Sequence, residues 1–358
     1  MRKKTRVPAP VLTLVVALGL MAGPLAHTAL AQTTAAHPVV TQAAFERWKK
    51  ELNNWGRWGK NDELGTLNLV TPAKRKQAAG LVKDGFSVSL SSDIPTQKSV
   101  DVPCPAEWAM TALNADRIAF PCIHGPGLTH LDSLAHVFFN GVMWNGDRVA
   151  DVVTRKTGPK KNSIMVMKNG IVTRGVLYDM AKLKGVPYLE PGTRIYVEDL
   201  EAWEKKSGVK AGPGDALLLG WGRWVRREKL GPWNITAQTA GLDNSVIPWL
   251  KKRDIAILGW ETPGYAPQPA DDLREPDLLS PGPGQERPRP ANLNNPVVES
   301  PVHDFALAML GIHILDRADF KALSEAAATR NRYEFMLVIA PLAIPHGTGS
   351  VVNPIAVF

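Results

Sequence analysis

Three histidines and one aspartate lie close together in a stretch that is rich in glycine and proline. They are His124, His130, Asp132 and His136, and the last three lie two and four positions apart. Side chains two or six positions apart point to one face of an extended strand, so these three converge if the segment stays extended or bends only once. Imidazole nitrogen and carboxylate oxygen are ligands for zinc, manganese or iron(II). A lone histidine is usually structural, but burying this many titratable groups without partners is costly, so the stretch predicts a metal or catalytic site.

The same stretch resembles a known sequence signature. Residues 129–136 read THLDSLAH and resemble the T-H-x-D-x-P-x-H motif of the cyclase family of metal-dependent hydrolases, which includes bacterial kynurenine formamidase and isatin hydrolase. Two positions differ, because Leu134 replaces the proline of the motif and Leu128 replaces a glycine. The first ligand histidine of the family falls at Pro126 here, and His124 is the candidate replacement.

The resemblance implies a metal centre and assigns roles within it. It implies one Mn²⁺ or Zn²⁺ ion per chain, or two, with ligands drawn from His124, His130, Asp132, His303 and Asp316. In this scheme His303 and Asp316 complete a second metal position, where the family typically has glutamate rather than aspartate. His136 is then not a ligand but a general base toward water and later an acid toward the leaving group, a role typically worth ~10²–10⁴-fold in rate.

This chemistry supports hydrolysis at a carbonyl centre. A bound metal lowers the pKa of its water toward ~7 and polarises a scissile carbonyl. We therefore expect a metal-dependent hydrolase that opens an amide, formamide, lactam or lactone bond of a small substrate, aromatic if tryptophans line its pocket. Two alternatives stay open: a lyase or cyclase that uses the metal without hydrolysis, and a periplasmic protein that binds a metal or small molecule without turnover. The sequence has no G-x-S-x-G elbow and no G-x-G-x-x-G loop to support a serine nucleophile or a nucleotide cofactor.

The elements that must position these residues follow an α/β pattern. Residues 215–221 and 254–260 are almost wholly apolar, as in buried strands, and a helix is predicted between them at 245–254. Further strands are predicted at 86–90, 163–167, 170–178 and 334–340. The expected fold class is α/β, with a mixed sheet or barrel-like core and flanking helices, and the resemblance implies the swivelling β/β/α type.

Two of these elements carry the remaining site candidates. Glu261 follows the strand at 254–260 directly, at the carboxyl end where α/β sheets usually place functional groups, so it is a candidate catalytic residue. A helix that is predicted to close at Gly311 places His303 in its first turn, where the helix dipole favours a neutral imidazole. The glycine-rich turn at 346–350 could bind a carboxylate or phosphate through its N–H groups, although such a turn alone is a weak signal.

The N-terminus is typical of an exported protein. Residues 1–31 combine a basic start, a short apolar stretch and an Ala-Leu-Ala cleavage site, which predicts a signal peptide and a periplasmic or secreted protein rather than a membrane anchor. Residues 32–44 are predicted as a mobile leader, and 45–358 as a single cyclase-like catalytic domain. A proline-rich insertion at 264–300 interrupts this domain. It is predicted to act as a lid or a dimer-contact arm, and a disordered loop is the alternative.

Charge and cysteine content restrict the partners. Without the signal, 38 of the 42 basic residues remain against 34 acidic ones, and no basic patch with interleaved aromatics appears. We therefore expect a small-molecule substrate, no nucleic acid, no membrane contact after signal removal, and a homodimer or higher homo-oligomer. Cys104 and Cys122 lie in a segment, 95–123, that is predicted as loop. In an exported protein they can form a disulfide, and a free buried thiol is the alternative.

Overall fold

A computed structural model describes residues 37, 39–139, 141–236, 238–262 and 301–358. The predicted signal peptide and the proline-rich insertion lie outside these residues. The described residues from 39 onward belong to one compact unit, Pro38–Phe358. None of the described helices has the length and apolar character that a membrane crossing requires. The α-helices are α1 (Gln42–Glu51), α2 (Pro72–Ala79), α3 (Val149–Val152), α4 (Met180–Lys184), α5 (Val197–Ser207), α6 (Arg223–Leu230), α7 (Ile247–Arg253), α8 (Pro301–Phe305) and α9 (Lys321–Arg330).

The strands of the described residues form one large sheet and several short pairs. They are β1 (Ser87–Ser89), β2 (Glu107–Ala112), β3 (Ala115–Ala119), β4 (His130–Asp132), β5 (Val153–Thr154), β6 (Gly158–Pro159), β7 (Ile171–Asp179), β8 (Arg194–Ile195), β9 (Ala216–Gly220), β10 (Gly241–Leu242), β11 (Ile257–Trp260), β12 (His313–Asp316), β13 (Glu334–Ile339), β14 (Gly349–Val351) and β15 (Ile355–Val357). The large sheet has nine strands in the order β1-β15-β13-β7-β9-β11-β12-β4-β14.

The centre of the large sheet is parallel and its two sides are antiparallel. β7, β9, β11 and β12 run parallel to one another, whereas β13, β15 and β1 on one side and β4 and β14 on the other pair antiparallel. Every residue of β9, β11 and β12 is buried, which explains the continuous apolar sequence of β9 and β11. The sheet curls into a half-barrel with helices along it, and this confirms the predicted mixed α/β fold class.

β4 fixes where the histidine stretch sits in the sheet. This strand lies between β12 and β14, so that His130 is opposite Asp316 on one side and Asp132 is opposite Gly349 on the other. All three residues of β4 are buried. After Asp132 the chain leaves the extended conformation and turns, and the N–H of His136 donates to the carbonyl of Ser133 over 3.0 Å. The segment thus bends once between Asp132 and His136.

Two parts of the predicted secondary structure are wrong. The segment at 163–167 forms a 3₁₀ turn, Ile164–Met167, rather than a strand, because its leading N–H at Ile164 bonds to the carbonyl of Gly347 instead of a neighbouring strand. The loop predicted at 95–123 contains the β2–β3 hairpin. Most residues on both faces of that hairpin are exposed, so its sequence lacks the apolar alternation that indicates a strand.

The helix that carries His303 has an irregular second half. α8 is followed directly by a wider π-type turn, Ala306–Leu310, and the chain leaves it at Gly311 with φ +69°. The closing glycine is therefore where the sequence predicts it. Carbonyls of this turn are bound from the N-terminal region, since the N–H of Asn54 donates to Met309 O and the N–H of Thr66 donates to Gly311 O, both over 2.8 Å.

We expect Gly65→Ala to destabilise the protein strongly. Gly65 has φ +58°, and a Cβ atom placed there would lie 2.2 Å from the carbonyl oxygen of Gly311. Gly185, at φ +72° with no atom within 4 Å of its Cβ position, is the matched control. Gly185→Ala should lower the free energy of unfolding by only the ~1–2 kcal/mol that a left-handed alanine costs. Gly65→Ala should lower it by at least ~2 kcal/mol more, because the added methyl group also clashes. Urea unfolding measures both values. Equal losses of unfolding free energy would show that the contact between the two glycines is not tight.

Candidate metal centre

Five sequence-predicted residues come together at one edge of the curled sheet. His130 and Asp132 begin and end β4, and His136 follows in the turn after it. His303 is the third residue of α8. His124 comes from the preceding loop, and its ring packs over β14, where a side chain at Gly349 would lie 2.6 Å from the ring carbon Cε1. The continuous stretch 124–136 and the distant helix α8 thus deliver one aspartate and four histidines to a common point.

Asp132 is the hub of the cluster. Its Oδ1 accepts a hydrogen bond from His124 Nδ1 over 2.7 Å and lies 3.5 Å from His130 Nε2. Its Oδ2 accepts from His303 Nε2 over 3.3 Å. The side chain is completely buried, and burial alone would raise the pKa of the carboxyl group. The surrounding histidines outweigh burial and hold that pKa well below its usual range, so Asp132 is a carboxylate with both oxygens facing imidazoles.

His130 presents one ring nitrogen to the cluster. Its Nδ1–H donates to the carbonyl of Leu128 over 2.7 Å, which leaves the lone pair of Nε2 directed toward Asp132. Burial lowers the pKa of His130, so the ring is neutral. A neutral imidazole whose other nitrogen is fixed by a carbonyl is the usual form of a metal ligand.

His136 lies face to face with His124. The two ring centroids are 3.7 Å apart and the ring planes differ by 5°. Burial, and after it the proximity of His124, lower the pKa of His136 well below the ordinary value. The ring is therefore neutral near pH 7 and keeps a nitrogen lone pair, which a general base and a metal ligand both require.

His303 sits in an environment that favours positive charge. Its Nδ1 donates to Asp304 Oδ1 over 2.8 Å, and its Nε2 donates to Asp132. Burial disfavours the charged ring, but the hydrogen bonds to Asp132 and Asp304 outweigh it and raise the pKa of His303 to about 10. Two buried carboxylates therefore stabilise a cation at this end of the cluster.

Asp316 lies beside the cluster and is held by other partners. Its Oδ1 accepts hydrogen bonds from Trp260 Nε1 and from the N–H of Arg317, each over 2.8 Å. Its Oδ2 lies 3.4 Å from Arg317 Nε and 3.9 Å from His130 Nε2. The role of Asp316 in a second metal position stays a prediction.

Glu261 follows β11 as expected, but its observed contacts are with α6. Its Oε2 accepts hydrogen bonds from the N–H groups of Trp221 and Gly222 over 2.7 Å and of Arg223 over 3.3 Å. Burial raises the pKa of this carboxyl group to about 7, although the backbone hydrogen bonds act in the opposite direction. A carboxyl group at a helix start stabilises that end of the helix. The catalytic role of Glu261 stays a prediction.

Some contacts of the site were not predicted from the sequence. The hydroxyl of Thr348 lies 2.9 Å from His124 Nε2, so the glycine-rich turn at 346–350 contributes a partner for a histidine. In the sequence, the glycine-rich character of this turn was the one indication that it could contribute to a site. The two cysteines, which the sequence left open, form a disulfide between Cys104 and Cys122, two residues before His124.

The donor set fits a divalent metal ion. Within the part of the chain that the structure describes, two groups of three residues have ligand atoms within 4.8 Å of one another: His124, His130 and Asp132, and Asp132, His136 and His303. Asp132 belongs to both groups. Nitrogen and carboxylate oxygen donors in this number suit zinc, manganese or iron(II). The second group includes His136, for which the sequence predicts a role in proton transfer.

Comparison with known proteins identifies the family. The family described as "Putative cyclase" matches residues 85–267, slightly more than half of the 358 residues. The chain therefore belongs to this cyclase family. A solved structure described as a novel cyclase is 27% identical with a TM-score of 0.68, and the match covers 87% of this chain and 99% of that one.

A second solved structure shares the fold alone. Isatin hydrolase A from Labrenzia aggregata, bound to benzyl benzoate, is 18% identical with a TM-score of 0.50, and the match covers 78% of this chain and 94% of that one. A comparison with curated proteins finds no match.

Proposed function

We propose that this protein is a metal-dependent hydrolase that cleaves an amide, formamide, lactam or lactone bond of a small substrate. The observation that carries the proposal is the position of Asp132, which directs its two carboxylate oxygens at histidines from three different segments. A buried carboxylate that faces several imidazoles is suited to hold a divalent cation, which would replace the proton on His303 Nε2. Membership of the cyclase family supports the same conclusion.

The residues of the cluster divide into ligands and a proton acceptor. His124, His130, Asp132 and His303 would hold the ion, and His303 would give up its Nε2 proton to do so, because only a neutral imidazole can be a ligand. The ion would lower the pKa of a water molecule toward ~7 and polarise a substrate carbonyl. The stacked ring of His136 faces the same space, is neutral, and would take the proton of the attacking water. It would then return that proton to the leaving nitrogen or oxygen.

The test joins metal content to product analysis. Inductively coupled plasma mass spectrometry on the purified protein should find a divalent metal, and a panel of formamides, lactams and lactones, with isatin included, should reveal turnover. Reaction in water labelled with heavy oxygen should place the label in the product acid. Turnover without label would identify a lyase or cyclase, and metal without turnover on any substrate would identify a binding protein. Either result would overturn the proposal.

We also propose that the chain is exported after cleavage of residues 1–31. The Cys104–Cys122 disulfide supports this proposal, because such bridges persist in oxidising compartments and are rare in the cytosol. Expression of the full chain in a bacterium, followed by cell fractionation and N-terminal sequencing, should yield a periplasmic or secreted protein that begins at Gln32. A cytoplasmic protein that retains its first residues would contradict export.

A further inference from the structure

The segment that carries His124 is held at several points. We call residues 122–128 the His124 strap. Its first residue forms the disulfide with Cys104, and its last residue, Leu128, supplies the carbonyl that fixes the ring of His130. Between them Gly127 lies against Val102, since a Cβ atom at Gly127 would come within 2.7 Å of a Val102 methyl carbon. The strap therefore sets the position of one histidine and the tautomer of another.

A buried arginine also contacts the His124 strap. Arg223, the first residue of α6, is 2% exposed. Its Nη1 donates to the carbonyl of Glu261 over 2.8 Å, and its Nη2 donates to the carbonyl of Pro126, in the middle of the strap, over 3.2 Å. The same Nη2 lies 3.8 Å from Asp101 Oδ2. One guanidinium group thus joins the end of β11, the strap and the segment that precedes Val102.

The backbone and the side chain of Arg223 both bind Glu261. Glu261 accepts the backbone N–H of Arg223, and the guanidinium of Arg223 donates back to the carbonyl of Glu261. The guanidinium also stacks on the ring of Trp224 at 4.3 Å. A planar fork with two donors can bridge two carbonyls at once, which an ammonium group on a flexible stem does less well.

The charge of Arg223 is only partly balanced. Its nearest carboxylate, Asp101, already accepts hydrogen bonds from Arg227 Nε over 2.6 Å and from Ser99. Burial, and after it the neighbouring guanidinium of Arg317, lower the pKa of Arg223 to about 9. Burying a cation with only part of its charge balanced costs free energy. An apolar side chain could fill the same space without this cost, so the guanidinium has a role beyond packing.

We infer that Arg223 is a positioning residue of the metal centre: through Pro126 it holds the His124 strap in the place that brings His124 to Asp132. The inference rests on the proposed function, because it concerns the same cluster. The hydrogen bonds of the Arg223 guanidinium go to the carbonyls of Glu261 and Pro126 rather than to His124, His130, Asp132 or His303. Its loss should therefore loosen the strap and weaken metal binding, as loss of an outer partner of a ligand typically does by ~10–100-fold.

The test compares Arg223→Ala, Arg223→Lys and Arg223→Gln with Arg226→Ala, a control on the same helix whose side chain pairs with Glu190 near the surface. Two quantities are measured on folded protein: the dissociation constant for Zn²⁺, and the rate at which dithiothreitol reduces the Cys104–Cys122 disulfide. We expect the Zn²⁺ dissociation constant of Arg223→Ala to rise by about tenfold or more. Disulfide reduction should accelerate in the same variant, and Arg223→Lys should recover little.

Chemical rescue separates positioning from a purely structural role. Millimolar guanidinium ion should restore Zn²⁺ affinity to Arg223→Ala, whereas sodium chloride at the same ionic strength should not. If Arg223→Ala does not fold, Arg223→Gln and Arg223→Lys give the same two measurements. Zn²⁺ affinity and reduction rate equal to those of Arg226→Ala would overturn the inference. Because disulfide reduction needs neither metal nor substrate, it tests the strap even if the proposed function fails.

Discussion

Asp132→Asn should remove the metal and abolish turnover. Both carboxylate oxygens of Asp132 face imidazole nitrogens, and each of the two candidate ligand groups includes this residue. An amide has nearly the same volume but lacks the negative charge, so the fold should be kept while the cation loses its central ligand. The loss of affinity should exceed the ~10–100-fold that follows removal of an outer partner. Metal content by mass spectrometry and titration with Zn²⁺ and Mn²⁺ measure it.

The control for Asp132→Asn is the same substitution at an exposed site. Asp151 forms a surface ion pair with Arg148 at 3.7 Å, and Asp151→Asn should bind metal as the natural protein does. Thermal unfolding of both variants verifies that they are folded. If Asp132→Asn kept a full equivalent of metal, the ion would have to be held by histidines alone, and Asp132 would be a structural carboxylate.

The part of the site that follows a strand period was predictable from the sequence. His130 and Asp132 are two residues apart, and in the structure they begin and end β4. The buried parallel strands were equally predictable, because strands covered on both faces show continuous apolar runs such as that of β9. The cap of α2 was also predictable, since the hydroxyl of Thr71 accepts the N–H of Lys74 and proline follows Thr71.

The contacts made by carbonyls, hydroxyls and remote ions were not predictable. Thr348 reaches His124 across 224 positions of the chain, and no local pattern encodes that distance. The same holds for Arg223, whose partners are carbonyl groups that every residue possesses. His303 was placed in a helix start that favours a neutral ring, but the carboxylate of the adjacent Asp304 and that of Asp132 determine its charge. The two carboxylates therefore override what the helix position alone predicts, and of these only the remote Asp132 was beyond the local sequence.

His136→Ala should retain the metal and lose turnover, by ~10²–10⁴-fold for a general base. The ring of His136 stacks on that of His124. In contrast to His130, whose Nδ1 is fixed by the carbonyl of Leu128, His136 has no side-chain hydrogen bond among the contacts of the described residues. The second candidate ligand group nevertheless includes His136 together with Asp132 and His303. The two roles therefore differ in one measurable quantity, the metal content of the variant.

The comparison with His303→Ala decides between these roles for His136. If His303 is a ligand, the His303→Ala variant should lose metal and turnover together. The His136→Ala variant should lose turnover alone. Added imidazole should restore part of the turnover of His136→Ala, because a small base can enter the space of the missing ring and accept the proton. Asp151→Asn, the exposed control used for Asp132→Asn, should change neither quantity. Metal loss in His136→Ala, without rescue by imidazole, would make His136 a ligand and would leave the proton acceptor to be found among the other residues of the cluster.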